Sequence, residues 1–313
     1  MAAEQRSGSD LLSPVVGLLR RHGKRLVPLV PLAWLGLFFL LPFAIVLKIS
    51  LAQSVLSQPP YTPLFEMLDD GFVQFRLFLG NYAFLAEDSL YVSAYLNSLK
   101  VAAVSTALCL IVGYPMAYAI ARANPSVRVV LLMMVVLPFW TSFLIRVYAW
   151  IGILKDEGLI NNLLLWLGVI ETPITMLNTG FAVYVGLVYS YLPFMVLPLY
   201  ATLVRLDLTL LEAASDLGCR PARAFLSVTL PLSKPGIYAG ALLVFIPSVG
   251  EFVIPDLLGG PDVLMIGQVL WNEFFSNRDW PLASAVAVAL LGLLVGPLLY
   301  LQKVQDRRAE EEA

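Results

Sequence analysis

Charge is scarce in this 313-residue chain: Asp, Glu, Lys and Arg make up 13% of it, about half their usual share of a soluble domain. Histidine is scarcer, with His22 alone; no His/Cys cluster has metal-ligand spacing, and no nucleophile–base pattern supports a catalytic constellation. Two cysteines exclude a disulfide framework; Cys109 sits in an apolar run and Cys219 in a basic segment, so no pairing between them is expected. A basic excess is missing too. The formal net charge is -2, which gives no electrostatic footprint for nucleic acid.

What the chain has instead is apolar side chains, 59% of its residues, gathered in long runs. Runs of about twenty suit helices that cross lipid, and a barrel would show shorter alternating segments. Inside a bilayer every backbone polar group must be satisfied internally. The expected fold class is therefore all-α, a polytopic membrane protein with about six transmembrane helices. The spans are expected at roughly 27–48, 98–120, 129–153, 180–204, 237–257 and 282–300. The first run is too long for a signal-peptide core, and an uncleaved span is expected there. The parts are then 1–26, an amphipathic and basic N-terminus; 27–93, the first helix and a long loop; 94–302, a core of five helices that includes a more polar segment, 205–236; and 303–313, a charged tail.

Orientation follows from the Lys/Arg bias of the loops. Loops 49–97, 154–179 and 258–281 hold three basic residues (Arg76, Lys155 and Arg278) and eleven acidic ones. The N-terminus, the 121–128 turn, the 205–236 segment and the tail hold fourteen basic residues. Both termini are expected in the cytoplasm, in an inner (plasma) membrane, with the wide loops on the periplasmic side. Five charged residues remain inside spans: Lys48, Lys100, Arg146, Glu251 and Asp256. The first two lie near span ends, where they can snorkel.

The 205–236 segment carries a spaced motif: Glu212, Ala213, Ala214 and Gly218, then Val228, Leu230 and Pro231. Thr209 and Glu212 are spaced as a capping box, Gly218 can end a helix in a left-handed conformation, and Pro221 suits a first helical turn. Helix, turn, helix is expected, with two small residues that a partner can approach closely. The plainer reading is an amphipathic connector in which Glu212 caps its own helix.

The motif resembles the cytoplasmic signature of ABC-importer permeases, with Val228 in place of the usual Ile. The stretches LPFWTSFLIRVYAW at 137–150, YSYLPFMVLPLY at 189–200, PSVGEFVIPDLLGGPD at 247–262, VLWNEFF at 269–275 and NRDWP at 277–281 are similar to those of polyamine permeases, closest to the putrescine type. The resemblance implies the type I importer permease fold. It also implies coupling to an ATPase through Glu212, Ala213, Ala214, Gly218, Val228, Leu230 and Pro231. The implied partners are a second homologous permease, an ATP-binding subunit dimer and a periplasmic polyamine-binding protein. ATP and Mg would be used by the partner ATPase, with no cofactor bound by this chain.

A polyamine wants carboxylates at its ammonium groups and aromatic faces between them. Glu251 and Asp256 are the acidic candidates, and intramembrane ionisable groups are functional by default. Trp140, Tyr148, Trp150, Tyr191 and Phe194 are the aromatic ones. Two readings of Glu251 stand side by side, a substrate contact and a structural ion pair with Arg146. The aromatics likewise divide between path lining and anchoring at the lipid interface. Gly236/Gly240 and Gly292/Gly296 carry the spacing of close helix packing.

A secondary transporter would explain the spans but not the 205–236 motif. Spermidine is the alternative cargo. Gly17 to Lys24 resembles a phosphate loop, but five residues separate the glycines and Arg25 stands where Ser or Thr is needed. The chain is expected to be a transport subunit and no enzyme.

Overall fold

The computed structural model describes residues 28–67 and 73–311. The expectations for 1–26, with His22 and Gly17 to Lys24, lie outside these residues. Of the described residues, 28–67 and 73–82 with 279–291 cluster as one compact unit, and 83–278 with 292–311 as a second.

In the first unit, α1 (Pro28–Ser50) is long and apolar enough to cross a membrane. It widens to a π-helical stretch at Gly36–Leu40, just before Pro42, whose missing N–H interrupts the ladder. Its large apolar side chains are exposed, as suits a surface facing lipid. The loop that follows carries a short antiparallel ribbon, β1 (Phe65–Met67) and β2 (Val73–Phe75), with Glu66 opposite Gln74. The buried Asn81 amide, at the start of α2 (Gly80–Glu87), donates to Ser50 O and Ala52 O, both at 2.9 Å.

In the second unit, α3 (Ser89–Arg122) begins on Asp88, whose Oδ1 accepts the Leu90 N–H at 2.8 Å. At its other end Arg128 Nη2 donates to Ala121 O and Ala123 O, a cation on a helix C-terminus. There follow α4 (Pro125–Trp140), α5 (Phe143–Leu154), α6 (Leu159–Trp166) and α7 (Gly180–Leu203). Next come α8 (Thr209–Asp216), α9 (Pro221–Leu232) and α10 (Lys234–Val249). The last within this unit are α11 (Val253–Leu258) and α12 (Ile266–Trp271), which runs on as a π turn through Ser276; α13 (Trp280–Glu311) belongs to the first unit up to residue 291 and to the second from 292.

Helices α3, α7 and α10 pack on one another. Gly236 and Gly240 allow it: a Cβ on Gly236 would lie 2.6 Å from Thr202 Oγ1, and one on Gly240 2.8 Å from Met195 Sδ. Nothing lies near Gly292 or Gly296 among the described residues, so that pattern is not used within them. One apolar cluster joins Cys109, Tyr114 and Ile120 to Met195, Leu199 and Val244. A second joins Val147 and Leu154 of α5 to Val183, Leu187, Ile254 and Leu258. Cys109 and Cys219 are both free thiols.

The fold is helical, with apolar helix at all six expected places, but two expected spans are broken. Three helices cross-test as membrane spans on length and apolarity among the described residues, or up to five if each bent pair counts as one. The third expected span, 129–153, bends by 92° between α4 and α5. Its helix closes on Pro138, whose carbonyl accepts both the N–H and the hydroxyl of Thr141. Thr141 and Ser142 then run extended. The fifth, 237–257, stops at Val249 after Pro247, and the α9–α10 junction at Ser233 bends by 65°. Residues 258–281 were expected as a loop. Instead the chain folds back as α12, with the Ile266 N–H on Ser98 Oγ at 2.8 Å and Asn97 Nδ2 on Leu264 O at 2.9 Å.

Candidate functional site

The 205–236 segment forms the expected helix, turn and helix. Its start differs in detail: the capping box of Thr209 and Glu212 does not form. Leu208 occupies the cap position with helical dihedrals and no side-chain bond. Thr209 lies inside the helix, and its N–H donates to Asp207 Oδ1 at 3.0 Å. Glu212 is left exposed in the first turn, where the helix dipole favours its charge. Ala213 is exposed beside it and Ala214 half-buried. Gly218 takes φ +78°. Its N–H bonds Ser215 O at 2.8 Å and the Cys219 N–H bonds Ala214 O at 2.9 Å, the Schellman pattern. Open space surrounds the site of a Cβ, so Gly218 is needed for its dihedral and not for room. Pro221 opens α9.

Two contacts fasten this exposed element to the helical core. The Phe225 ring sits edge-on to the rings of Tyr114 (5.5 Å) and Tyr118 (5.9 Å) of α3. At the α9–α10 junction, the Tyr114 hydroxyl and Ser233 Oγ share a buried hydrogen bond of 2.9 Å. Leu230 packs on the same cluster, Val228 is half-buried and Pro231 exposed. The segment is thus joined to α3 through Phe225 and to α10 through Ser233.

The second constellation lies at the break after α10. Glu251 Oε2 accepts the Tyr191 hydroxyl at 2.5 Å, and Oε1 accepts the N–H groups of Val253 (3.1 Å) and Ile254 (3.4 Å). The carboxylate thus offers the backbone an alternative to the helical ladder. The Tyr191 ring lies 6.2 Å from Phe194, and Phe194 lies 5.3 Å from Phe139. The Arg146 guanidinium stacks over Phe139 at 5.2 Å and Phe143 at 5.8 Å. Arg146 and Glu251 therefore stand at opposite ends of a row of rings. The expected Arg146–Glu251 ion pair is absent among the described residues. Arg146 is 9% exposed and its Nε has no hydrogen-bond partner there. The pairing assumed two straight helices at matching heights, and both helices are broken.

The other candidates scatter. Trp140 is 83% exposed at the end of α4, and Tyr148 is exposed on α5. Trp150 packs edge-on against Tyr189 at 5.5 Å. Asp256 is exposed on α11 with no side-chain bond among the described residues. No group of three or more potential metal ligands occurs there either.

Residues 97–311 match the model of the family described as "Binding-protein-dependent transport system inner membrane component". The chain belongs to that family. It is a multi-pass inner-membrane transport component and no enzyme. The chain is 41% identical over 285 residues to the spermidine/putrescine transport system permease protein PotB of Haemophilus influenzae, covering 90% of this chain and 94% of that one. It is 40% identical over 282 residues to PotB of Escherichia coli, covering 89% and 98%. Among solved structures, a bacterial ABC transporter that imports the acidic polysaccharide alginate superposes with a TM-score of 0.66 at 16% identity, over 94% of this chain and 99% of that one. A bacterial alginate ABC transporter in complex with an alginate pentasaccharide-bound periplasmic protein gives 0.65 at 18% identity, over 92% and 96%. These likenesses carry the fold, the ABC-importer permease fold.

Sequence reading of this transport component missed Tyr114, Tyr118, Phe225 and Ser233 as the fastening of the 205–236 segment. It also missed Glu273, whose Oε1 accepts the Tyr91 hydroxyl at 2.8 Å and Oε2 the Asn277 amide at 2.9 Å. A signal for Glu273 existed: an acidic residue among Trp271, Phe274 and Phe275, in a stretch too apolar for a plain loop.

Proposed function

We propose that the chain is the permease subunit of an ATP-driven polyamine importer, with putrescine as its cargo, and that it works by alternating access beside a second homologous permease. The identity of about 40% to spermidine/putrescine permeases along nearly the whole chain carries this reading. The site chemistry supports it. The Glu251 carboxyl lies beside aromatic rings and accepts only from neutral donors among the described residues, which suits an ammonium group.

An ATP-binding subunit dimer docks on α8, with Glu212, Ala213 and Ala214 at the contact and Gly218 setting the turn. ATP and Mg stay in that subunit. Its closure pushes α8, and Phe225 and Ser233 pass the movement to α3 and α10. The breaks at Ser233 and Gly250 let the two ends of α10 move separately. A periplasmic polyamine-binding protein delivers cargo on the opposite side, and both termini face the cytoplasm, as the loop charges favour. Tyr191 and Glu251 receive the cargo; Asp256, Trp140 and Tyr148 line its approach.

The test is uptake of labelled putrescine by cells without polyamine transport of their own, given this chain with its second permease, ATPase and binding protein. Uptake lost on omission of this chain, and inhibited by unlabelled putrescine more than by spermidine, is the expected result. Stronger inhibition by spermidine would reassign the cargo within the same architecture. Uptake that persists without the ATPase would favour a secondary transporter.

A further inference from the structure

The fold-back of α12 brings a second carboxylate and a row of rings next to the break that holds Glu251. A Cβ on Gly267 would lie 2.5 Å from Gly250 O and 2.6 Å from Glu251 O, so the start of α12 rests directly on the break. From there Phe252 stacks on Trp271 with centroids 4.6 Å apart and planes 12° apart. Trp271 lies 4.1 Å from Phe275. Glu273 sits on the same turn, held by Tyr91 and Asn277.

Three features separate this row from ordinary packing. Trp271 is 43% and Phe275 55% exposed, so the rings stack with each other while still presenting surface. Glu251 and Glu273 are both half-buried, and all their hydrogen bonds come from neutral donors. Among the described residues no Lys or Arg pairs with either. A half-buried carboxylate without a counter-charge favours a cation from outside the chain. Finally, the six residues from Gly267 to Glu273 amount to about 9 Å of helical rise. The two carboxylates are thus held apart, which suits two charges on one ligand better than a metal ion.

We propose that Glu251, the Phe252–Trp271–Phe275 row and Glu273 form a strip that binds an aliphatic diammonium ion, with one ammonium at each carboxylate and the methylene chain along the rings. The proposal rests on the polyamine reading and adds the second charge station. Tyr191 and Tyr91 orient the two carboxylates, and the rings supply both apolar contact and cation–π attraction. Discrimination against a monoamine then resides in Glu273, because a ligand with one charge leaves one carboxylate unpaired.

The test uses the assembled complex of both permeases, ATPase and binding protein in proteoliposomes. Labelled putrescine uptake is measured with n-butylamine as competitor. The wild type is expected to ignore n-butylamine. Glu273→Gln is expected to raise the KM for putrescine about tenfold, the worth of one charge-assisted contact, and to let n-butylamine compete. Trp271→Leu is expected to raise KM in the same direction, and Trp271→Phe to keep most of the affinity. Unchanged KM and unchanged amine preference in both Glu273→Gln and Trp271→Leu would overturn the strip while leaving polyamine import intact. Failure of Glu273→Gln to assemble with the second permease would overturn it too, because the carboxylate would then be a subunit contact. A wild-type complex that imports no putrescine would overturn the polyamine reading, and the strip with it.

Discussion

The 205–236 segment and the stretch from Pro247 to Asn277 are both helical chain interrupted by Gly and Pro, yet their interruptions have different origins. In the first, each break is local. α8 ends at Gly218, where the Gly218 N–H bonds Ser215 O and the Cys219 N–H bonds Ala214 O, a few residues back, and Pro221 opens α9 in its own first turn. In the second, the local bonds of Glu251 to the Val253 and Ile254 N–H groups are joined by contacts from far away in sequence. Glu251 is held by Tyr191, 60 residues earlier. The returning chain is pinned to Ser98, 168 residues before Ile266. Local punctuation gives an exposed element of fixed shape, as the proposed docking of a partner requires. Long-range punctuation gives a charged site inside an otherwise apolar span.

The largest expected effect breaks the first region alone. Glu212→Arg reverses the charge at the exposed face of α8 and is expected to lower uptake by at least about thirtyfold, the equivalent of roughly 2 kcal/mol at the docking contact. Capture of substrate by the binding protein should be unaffected. Uptake at the wild-type rate would mean that α8 is no coupling element.

A smaller effect is expected where α10 crosses between the regions. Gly240→Leu places a side chain where Met195 Sδ is 2.8 Å away, and overpacking of this kind costs about 1–3 kcal/mol. The expected readout is a lower unfolding temperature of the detergent-solubilised complex. Unchanged stability would show that α7 and α10 have room to separate.

Gly218→Ala is milder still. It forces an L side chain into a left-handed conformation, at a cost of about 1 kcal/mol, while Gly218→Asn keeps more of the turn. Hydrogen exchange at the Cys219 N–H should quicken in the Ala variant and less in the Asn variant. Equal protection in all three would place the turn's stability elsewhere.

The smallest effect belongs to the second region. A double-mutant cycle of Arg146→Met and Glu251→Gln, read as uptake KM, is expected to show coupling below about 0.5 kcal/mol, the level of independent sites. Coupling well above that would restore the direct ion pair.

The same contrast explains what could be read from the sequence. Apolar runs placed helices at six positions, because lipid demands length and apolarity and both are visible residue by residue. The turn at Gly218 and the start at Pro221 were legible for the same reason. The capping box was not, since the Asp207 carboxylate competes for the Thr209 N–H and only geometry decides which wins. The 92° bend at Thr141 and the break at Gly250 were not legible, because Pro and Gly are tolerated inside membrane helices and Pro138, Pro247 and Gly250 do not by themselves say where the ladder gives way. Arg146 and Glu251 looked like partners because each lacked another visible one. In the fold, Tyr191 takes the carboxylate, and Phe139 and Phe143 take the guanidinium. Tyr114, Phe225 and Ser233 escaped notice because aromatic and hydroxyl side chains in apolar runs have no periodic mark.

The central claim is that this chain carries a polyamine across the membrane at the expense of ATP hydrolysed by a partner docked on α8. Its most direct measurement is uptake of labelled putrescine into proteoliposomes that contain this chain, the second permease, the ATPase and the binding protein, with ATP supplied on the ATPase side. The account predicts uptake that needs ATP and this chain and that is lost in the Glu212→Arg complex. Uptake that proceeds equally without ATP, or without this chain, would contradict it.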